Sequence, residues 1–386
     1  MNDHLTNELS RQLHDKVDGW HSPPLTLESV QGKARSIRRR RTAAGAGVAA
    51  AAAMAVILPV TLALDGSPDS QRPGVTNTPT QAVDSENPIP ESPLDVPFIQ
   101  GRTLTLPNGV QGQLPRAYQG GVVLGETVLG LRIDDRGDLI LDALDAELQV
   151  DESLPLDTSV ARNAEGSAIA YVTGGELVVR WDSGQTSFGP VDEGLMPVRL
   201  VGGPDCTEGV AACAVYLNDE LGGAPRVITS SGSNQAVAGD PLSIDDVSED
   251  GRVTMTTEIR EGDLGACGRV YDQTTQTTVF RTCDVTLERF APDGQHVSAN
   301  VAYQDGLRGY VAIIDAQSGE KVAELRGDGS FFNEVVWEDA AHLLAVTFRD
   351  GEGWTVTRIG VDGTVETAYG PLPGLPEESP LHLLGG

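Results

Sequence analysis

The amino-acid sequence predicts an all-β fold, a β-propeller, with one transmembrane helix ahead of it. Three observations carry this. From about residue 97 onward the chain reads as short apolar strands broken by Gly, Asp and Asn, with no sustained helical periodicity. Within that region the pairs Glu165-Gly166, Glu208-Gly209, Asp250-Gly251 and Asp293-Gly294 recur at steps of 43, 42 and 43 residues, and Glu338-Asp339 falls near the next step. A second marker keeps the same beat. Apolar strands end in Asp at Asp182, Asp272, Asp315 and Asp362. Asp suits such a position because its carboxylate accepts backbone amides two residues on and closes a hairpin. A period near 43 with four strands per unit is the mark of a propeller blade.

Ahead of the repeats the chain divides into three parts. Residues 1–42 hold eight Lys or Arg against five acids. In this tail Leu5, Leu9, Leu13 and Val17 recur every four residues, so residues 3–17 form one apolar helical stripe, read first as part of a retention and orientation tail and alternatively as a docking edge for a cytoplasmic partner. Residues 43–64 contain no charged side chain, and Arg38, Arg39, Arg40 and Arg41 stand directly before them. At about 1.5 Å per helical residue this stretch reaches roughly 33 Å, enough to cross a bilayer. The arginines set their flank on the cytoplasmic side, which sends the C-terminal portion outside. A cleaved leader is the alternative, with Thr61-Leu62-Ala63 as a loose cleavage site, but some 40 residues precede the apolar run. Residues 65–96 are rich in Pro, Ser and Thr and read as an extended extracytoplasmic stalk.

Residues 97–386 form the propeller domain. Units begin near 118, 160, 200, 243, 287 and 332, and a further inner strand is due near 380, where Leu381-His382-Leu383-Leu384 stands. At the other end Phe98-Ile99, 103–106 and 110–114 are strands without an inner partner. Joining the two ends makes a seventh, composite blade that closes the ring and hides sheet edges. Six complete blades with ragged ends is the alternative. All four cysteines lie in this domain, where disulfides persist outside the cytoplasm. Cys267 and Cys283 are equidistant from Thr275, the centre of a predicted hairpin, and Cys206 and Cys213 flank the turn at Glu208-Gly209. Two local pairs follow, Cys206 with Cys213 and Cys267 with Cys283. The spacings do not suit a CxxC redox pair or a zinc knuckle.

At Phe290-Ala291-Pro292-Asp293-Gly294 the sequence resembles the turn of TolB-type and WD-repeat propellers. The whole arrangement of arginine run, spanning helix, proline stalk and cysteine-bearing propeller resembles the membrane-anchored WD-repeat-like proteins of actinobacteria. That resemblance implies binding to another envelope protein or other extracytoplasmic ligand. The chain departs from true WD repeats in that no Gly-His pair opens the blades and Trp181-Asp182 is its single Trp-Asp dipeptide.

Beyond residue 42 the chain carries 51 acids against 19 bases, and Lys321 is its one lysine. That imbalance repels nucleic acid and anionic lipid surfaces. No Gly-x-Ser-x-Gly elbow, nucleotide-binding loop or metal-ligand spacing stands out, so neither a cofactor nor a metal is expected. His296, His342 and His382 fall in separate units. Two acidic stretches, Asp134-Asp135-Arg136-Gly137-Asp138 and Asp245-Asp246 with Glu249-Asp250, read as solvated turns. The expected function is binding. Two alternatives remain: an envelope hydrolase or lyase using carboxylates at the channel mouth, and a transmembrane sensor signalling through its tail. Inward-facing acids with raised pKa would favour the hydrolase or lyase.

Overall fold

The computed structural model describes residues 93–203, 206, 213–259, 265–301, 309–327 and 329–385. The tail at 1–42, the apolar run at 43–64, all but the last four residues of the stalk, and Gly209 lie outside the described residues.

The propeller domain is seven four-stranded antiparallel sheets. Blades 1 to 6 occupy residues 120–156, 161–190, 195–236, 243–282, 285–326 and 330–372. Blade 7 is composite: Leu381–Leu383 is its inner strand, and Phe98–Gln100, Thr103–Thr105 and Gln111–Gln113 follow outwards. The chain ends pair directly, Phe98 opposite Leu383 and Gln100 opposite Leu381. The ring is therefore closed by the two termini of one domain, and the six-blade alternative is excluded. Packing also begins upstream of the first strand, since Leu94 and Val96 are buried against blade 6 and the inner strand of blade 7.

Strands within a blade are lettered a to d from the centre outwards. Because each blade runs up and down four times, its a–b and c–d turns lie on one face of the ring. Its b–c connections and the d–a links to the next blade lie on the other. The buried apolar residues form seven clusters among the described residues, one in each gap between adjacent blades. The gap between blades 7 and 1, for example, is filled by Ile99, Leu104 and Leu384 against Val128 and Leu144. At about 25 cal/mol per Å² of apolar area removed from water, these gaps rather than the sheets' hydrogen bonds hold the ring together.

The repeated markers sit where the chain must reverse. Gly166, Gly251 and Gly294 adopt φ of 67°, 86° and 72° in the a–b turns, a region that side-chain-bearing residues enter at a cost. The c–d turns close on side-chain oxygens. Asp272 accepts the amides of Thr274 and Thr275, Asp315 those of Gln317 and Ser318, and Asp362 that of Thr364. Asp182 behaves differently. Only two residues separate strands c and d of blade 2, so its carboxylate turns outwards and accepts Glu126 N and Thr127 Oγ1 of blade 1. Blade 3, where the Asp marker skips a beat, uses Thr229 Oγ1, which accepts the amide of Ser233.

Both disulfides are present, Cys206–Cys213 with Cα atoms 5.4 Å apart and Cys267–Cys283 with Cα atoms 4.0 Å apart. The first closes the a–b connection of blade 3. The second joins the start of strand c to the end of strand d in blade 4, on the opposite face.

Candidate functional site

The inner strands line the centre of the ring, and four consecutive ones break their alternation. Blades 3, 4, 5 and 6 each carry a shift in pairing, between Pro197 and Arg199, Ile244 and Asp246, Leu287 and Phe290, and Phe332 and Glu334. A bulge re-aims the side chains that follow it. Here it places Arg199, Asp246, Arg289 and Glu334 in matching positions, an alternation of charge around the wall. Arg162 of strand Ala161–Arg162 adds a third guanidinium.

Most of these charges bind one blade to the next. Arg199 Nε lies 3.3 Å from Asp246 Oδ1, both side chains being almost wholly buried, although the pair is not aligned as a hydrogen bond. Asp246 Oδ2 accepts the amide of Phe290 at 2.7 Å, and Glu334 Oε2 that of Leu383 at 3.1 Å. Arg162 donates to the carbonyls of Leu384 and Gly385 at 2.7 and 3.1 Å and to that of Gly121. It thereby ties blades 7, 1 and 2. Burial pulls Arg162 down to about 10, helped by Arg289 and Arg199 and opposed by Glu334.

Asp245 and Asp246, expected in an acidic turn, lie instead within the inner strand Ser243–Val247 of blade 4. The apolar Ile244 and Val247 around them pack inwards, and the polar run that suggested a turn begins only at Ser248. The Asp245 carboxyl is pushed up to about 8, first by burial, then by the neighbouring Glu288, with Asp246 adding and Thr256 opposing. Glu288 Oε1 accepts Asn300 Nδ2 at 2.7 Å. The other acidic stretch is a turn as expected. Asp134 Oδ1 accepts the amides of Arg136 and Asp138, and no group of three metal-binding side chains occurs among the described residues.

The three histidines stay apart. His342 Nδ1 sits 2.9 Å from Asp339 Oδ2 in the a–b turn of blade 6, and His296 Nδ1 is buried with no hydrogen-bond partner among the described residues in blade 5. His382 lies on the inner strand of blade 7, where burial lowers it to about 4. A cluster that the sequence reading missed surrounds Asp142 in blade 1. Tyr118 Oη, Arg132 Nε and Ser153 Oγ all donate to this fully buried carboxylate, at 3.1, 2.9 and 2.6 Å. Burial and Asp142 both raise Tyr118, which leaves it a poor acid at neutral pH. The cluster is satisfied and structural.

The two faces differ in what they expose. Among the described residues, the large apolar side chains more than half exposed are Leu221, Leu242, Ile259 and Leu375, at 57, 52, 69 and 64 %. All four belong to b–c or d–a connections or the strand end beside one, and so to one face. On the opposite face the most exposed large apolar residue among the described residues is Val365, at 48 %, beside the c–d turn of blade 6.

No protein-family model matches the chain, and no curated protein matches it. Solved structures similar to it include a eukaryotic initiation factor, 14 % identical over 72 % of this chain and 86 % of that one, with a TM-score of 0.39. Kluyveromyces lactis Hsv2 is 10 % identical over 70 and 91 %, with a TM-score of 0.41. Chaetomium thermophilum Sqt1, solved with the N-terminus of ribosomal protein L10, is 15 % identical over 62 and 71 %, with a TM-score of 0.39. At these levels the likeness concerns the fold alone.

Proposed function

We propose that this protein is a membrane-tethered, extracytoplasmic β-propeller that acts by binding another envelope protein through its b–c/d–a face. The observation that carries the reading is the gathering of the most exposed apolar side chains on that single face. Exposed apolar surface rimmed by polar residues marks interaction sites. The inner-wall acids Asp246 and Glu334 are meanwhile engaged between blades, which suits a rigid platform better than a reaction centre. The tether rests on the charge-free run at 43–64 behind Arg38 to Arg41 and on two disulfides that suit an oxidising exterior. Among the described residues no helix is long and apolar enough to cross a membrane, and the proposed span lies outside them. The test places a photo-crosslinking residue at Leu375 or at Gln317, on opposite faces, in the full-length protein in intact cells. Protein adducts from Leu375 and not from Gln317 are expected. Adducts from neither position would sink the binding reading.

The pair Asp245 and Glu288 supports a second reading, a hydrolase or lyase acting on an envelope polysaccharide. A carboxyl raised to about 8 beside a second carboxylate is the arrangement a general acid needs. Polysaccharide turnover by the purified full chain, abolished in Glu288→Gln, would favour it. Turnover that survives that change would dismiss it.

A further inference from the structure

Three of the four strongly exposed apolar residues belong to adjacent blades, and the backbone draws them to one rim. Asn218 in strand b of blade 3 exchanges two 2.8 Å hydrogen bonds with the backbone of Ile244 in strand a of blade 4. Leu221 follows that clamp by three residues and Leu242 precedes it by two. Leu242 N in turn bonds Thr256 O at 2.8 Å, and Ile259 ends the strand that contains Thr256. The patch thus sits over the seam between blades 3 and 4.

Its border is acidic. The 191–194 link touches the Leu221 loop, because Glu220 N bonds Gly194 O at 2.9 Å and Gly194 has no room for a side chain beneath Leu221. That link carries the exposed Asp192 and Glu193, and the next link carries the exposed Asp240. None of the three side chains has a hydrogen bond or ion pair among the described residues. Asp240 holds φ at 49°, a conformation in which its side chain is presented from a fixed turn.

We infer that this seam docks a cationic polypeptide segment that seats an aliphatic or aromatic side chain on Leu221, Leu242 and Ile259 and sets Lys or Arg against Asp192, Glu193 and Asp240. This deepens the binding reading above and rests on it. An apolar centre inside a charged rim is the anatomy of a protein interface, and opposite charge sets partner choice and approach rate. The charge also eliminates two other occupants. Beyond residue 42 the chain holds 51 acids against 19 bases, so a second copy and an anionic lipid surface are both repelled.

The test selects random displayed peptides on the full chain in nanodiscs of zwitterionic lipid, then measures the winners by fluorescence anisotropy. Winners should carry net positive charge around a central apolar residue and weaken as salt is raised. Leu221→Ser/Leu242→Ser/Ile259→Ser and Asp192→Lys/Glu193→Lys/Asp240→Asn should each weaken them by about tenfold or more. All six side chains are exposed, so melting temperatures within a few degrees of wild type are expected and confirm folding. Neutral or acidic winners, or equal binding to the apolar triple variant, overturn the inference. If winners bind but crosslink only from Leu375, the seam is wrong and the binding reading survives elsewhere on the same face; if they crosslink only from Gln317, both fall. If nothing is enriched over empty nanodiscs, both fall.

Discussion

On one face of the ring the chain turns back mostly through short, chemically repetitive turns, the exception being the disulfide-closed connection of blade 3 at 202–213. On the other its connections run from the two residues of 174–175 to the eight of 373–380, and the glycine and Asp turn chemistry appears in only some of them, as at 134–138 and 219–222. The a–b and c–d turns reuse glycine at positive φ and Asp or Thr accepting nearby amides, because a tight reversal leaves few solutions to the backbone. The b–c and d–a connections span more varied gaps between strands, and only the tight ones, such as 134–138 and 174–175, return to that chemistry. They carry the exposed Leu221, Leu242, Ile259 and Leu375. Regularity marks the face that builds the ring, and irregularity marks the face available for recognition.

The largest effect that sharpens this comparison lies on the wall joining the faces. Asp245, raised to about 8 from an ordinary 3.8, stays protonated in the folded chain while the unfolded chain ionises. Stability linked to it is complete below about pH 4 and declines as pH climbs towards 8. Asp245→Asn should therefore melt higher than wild type at pH 8 and converge with it near pH 4. His382, lowered to about 4, acts in the opposite sense on both proteins and cancels in the difference. Parallel melting curves across this range would mean that Asp245 ionises normally.

The next effect separates the faces directly, since each has one disulfide. Cys267–Cys283 closes a separation of 16 residues and Cys206–Cys213 one of 7. Loop-closure entropy gives them about 3 and about 2.5 kcal/mol respectively. Removing the first by Cys267→Ser/Cys283→Ser should lower stability more in denaturant titrations. It should also weaken partner binding, because this bond pins strand ends on the irregular face next to Ile259. Removing the second should leave binding unchanged. Equal binding losses from both would erase the functional distinction between the faces.

The same contrast explains what was legible in the sequence. Seven blades, the composite closure and both cysteine pairs followed from the recurring Gly and Asp turns, because those turns are local and chemically forced. The charged wall did not. Arg162 stands in a strand of only two residues, while Arg199 and Glu334 are single charges inside apolar strands that bulges shift out of the alternation that would assign them a side. Asp245-Asp246 is separated from the polar run Ser248-Glu249-Asp250 by Val247 alone, so the strand and the turn share one acidic stretch. Asp182 carried the expected marker but, with a two-residue loop, found its partners in another blade. Nothing in one chain reports contacts that depend on which blade lies beside which.

The smallest effect belongs to the regular face. Asp315 accepts the amides of Gln317 and Ser318 and the Ser318 hydroxyl, at 3.1, 2.7 and 2.8 Å, and these bonds, led by Ser318 N, hold its carboxyl below the usual range. Its stabilisation is therefore present above the ordinary carboxylate pKa and is lost as pH falls through the lowered one. Asp315→Ala should cost about 1 kcal/mol at neutral pH, the usual worth of a turn's side-chain hydrogen bonds. The deficit should shrink in acid, as wild type loses the same bonds by protonation. Partner binding should not change, since the turn lies across the ring from Leu242. If Asp315→Ala weakened binding as much as the apolar triple variant, the turn face would be part of the recognition surface, and the division of labour between the two faces would have to be abandoned.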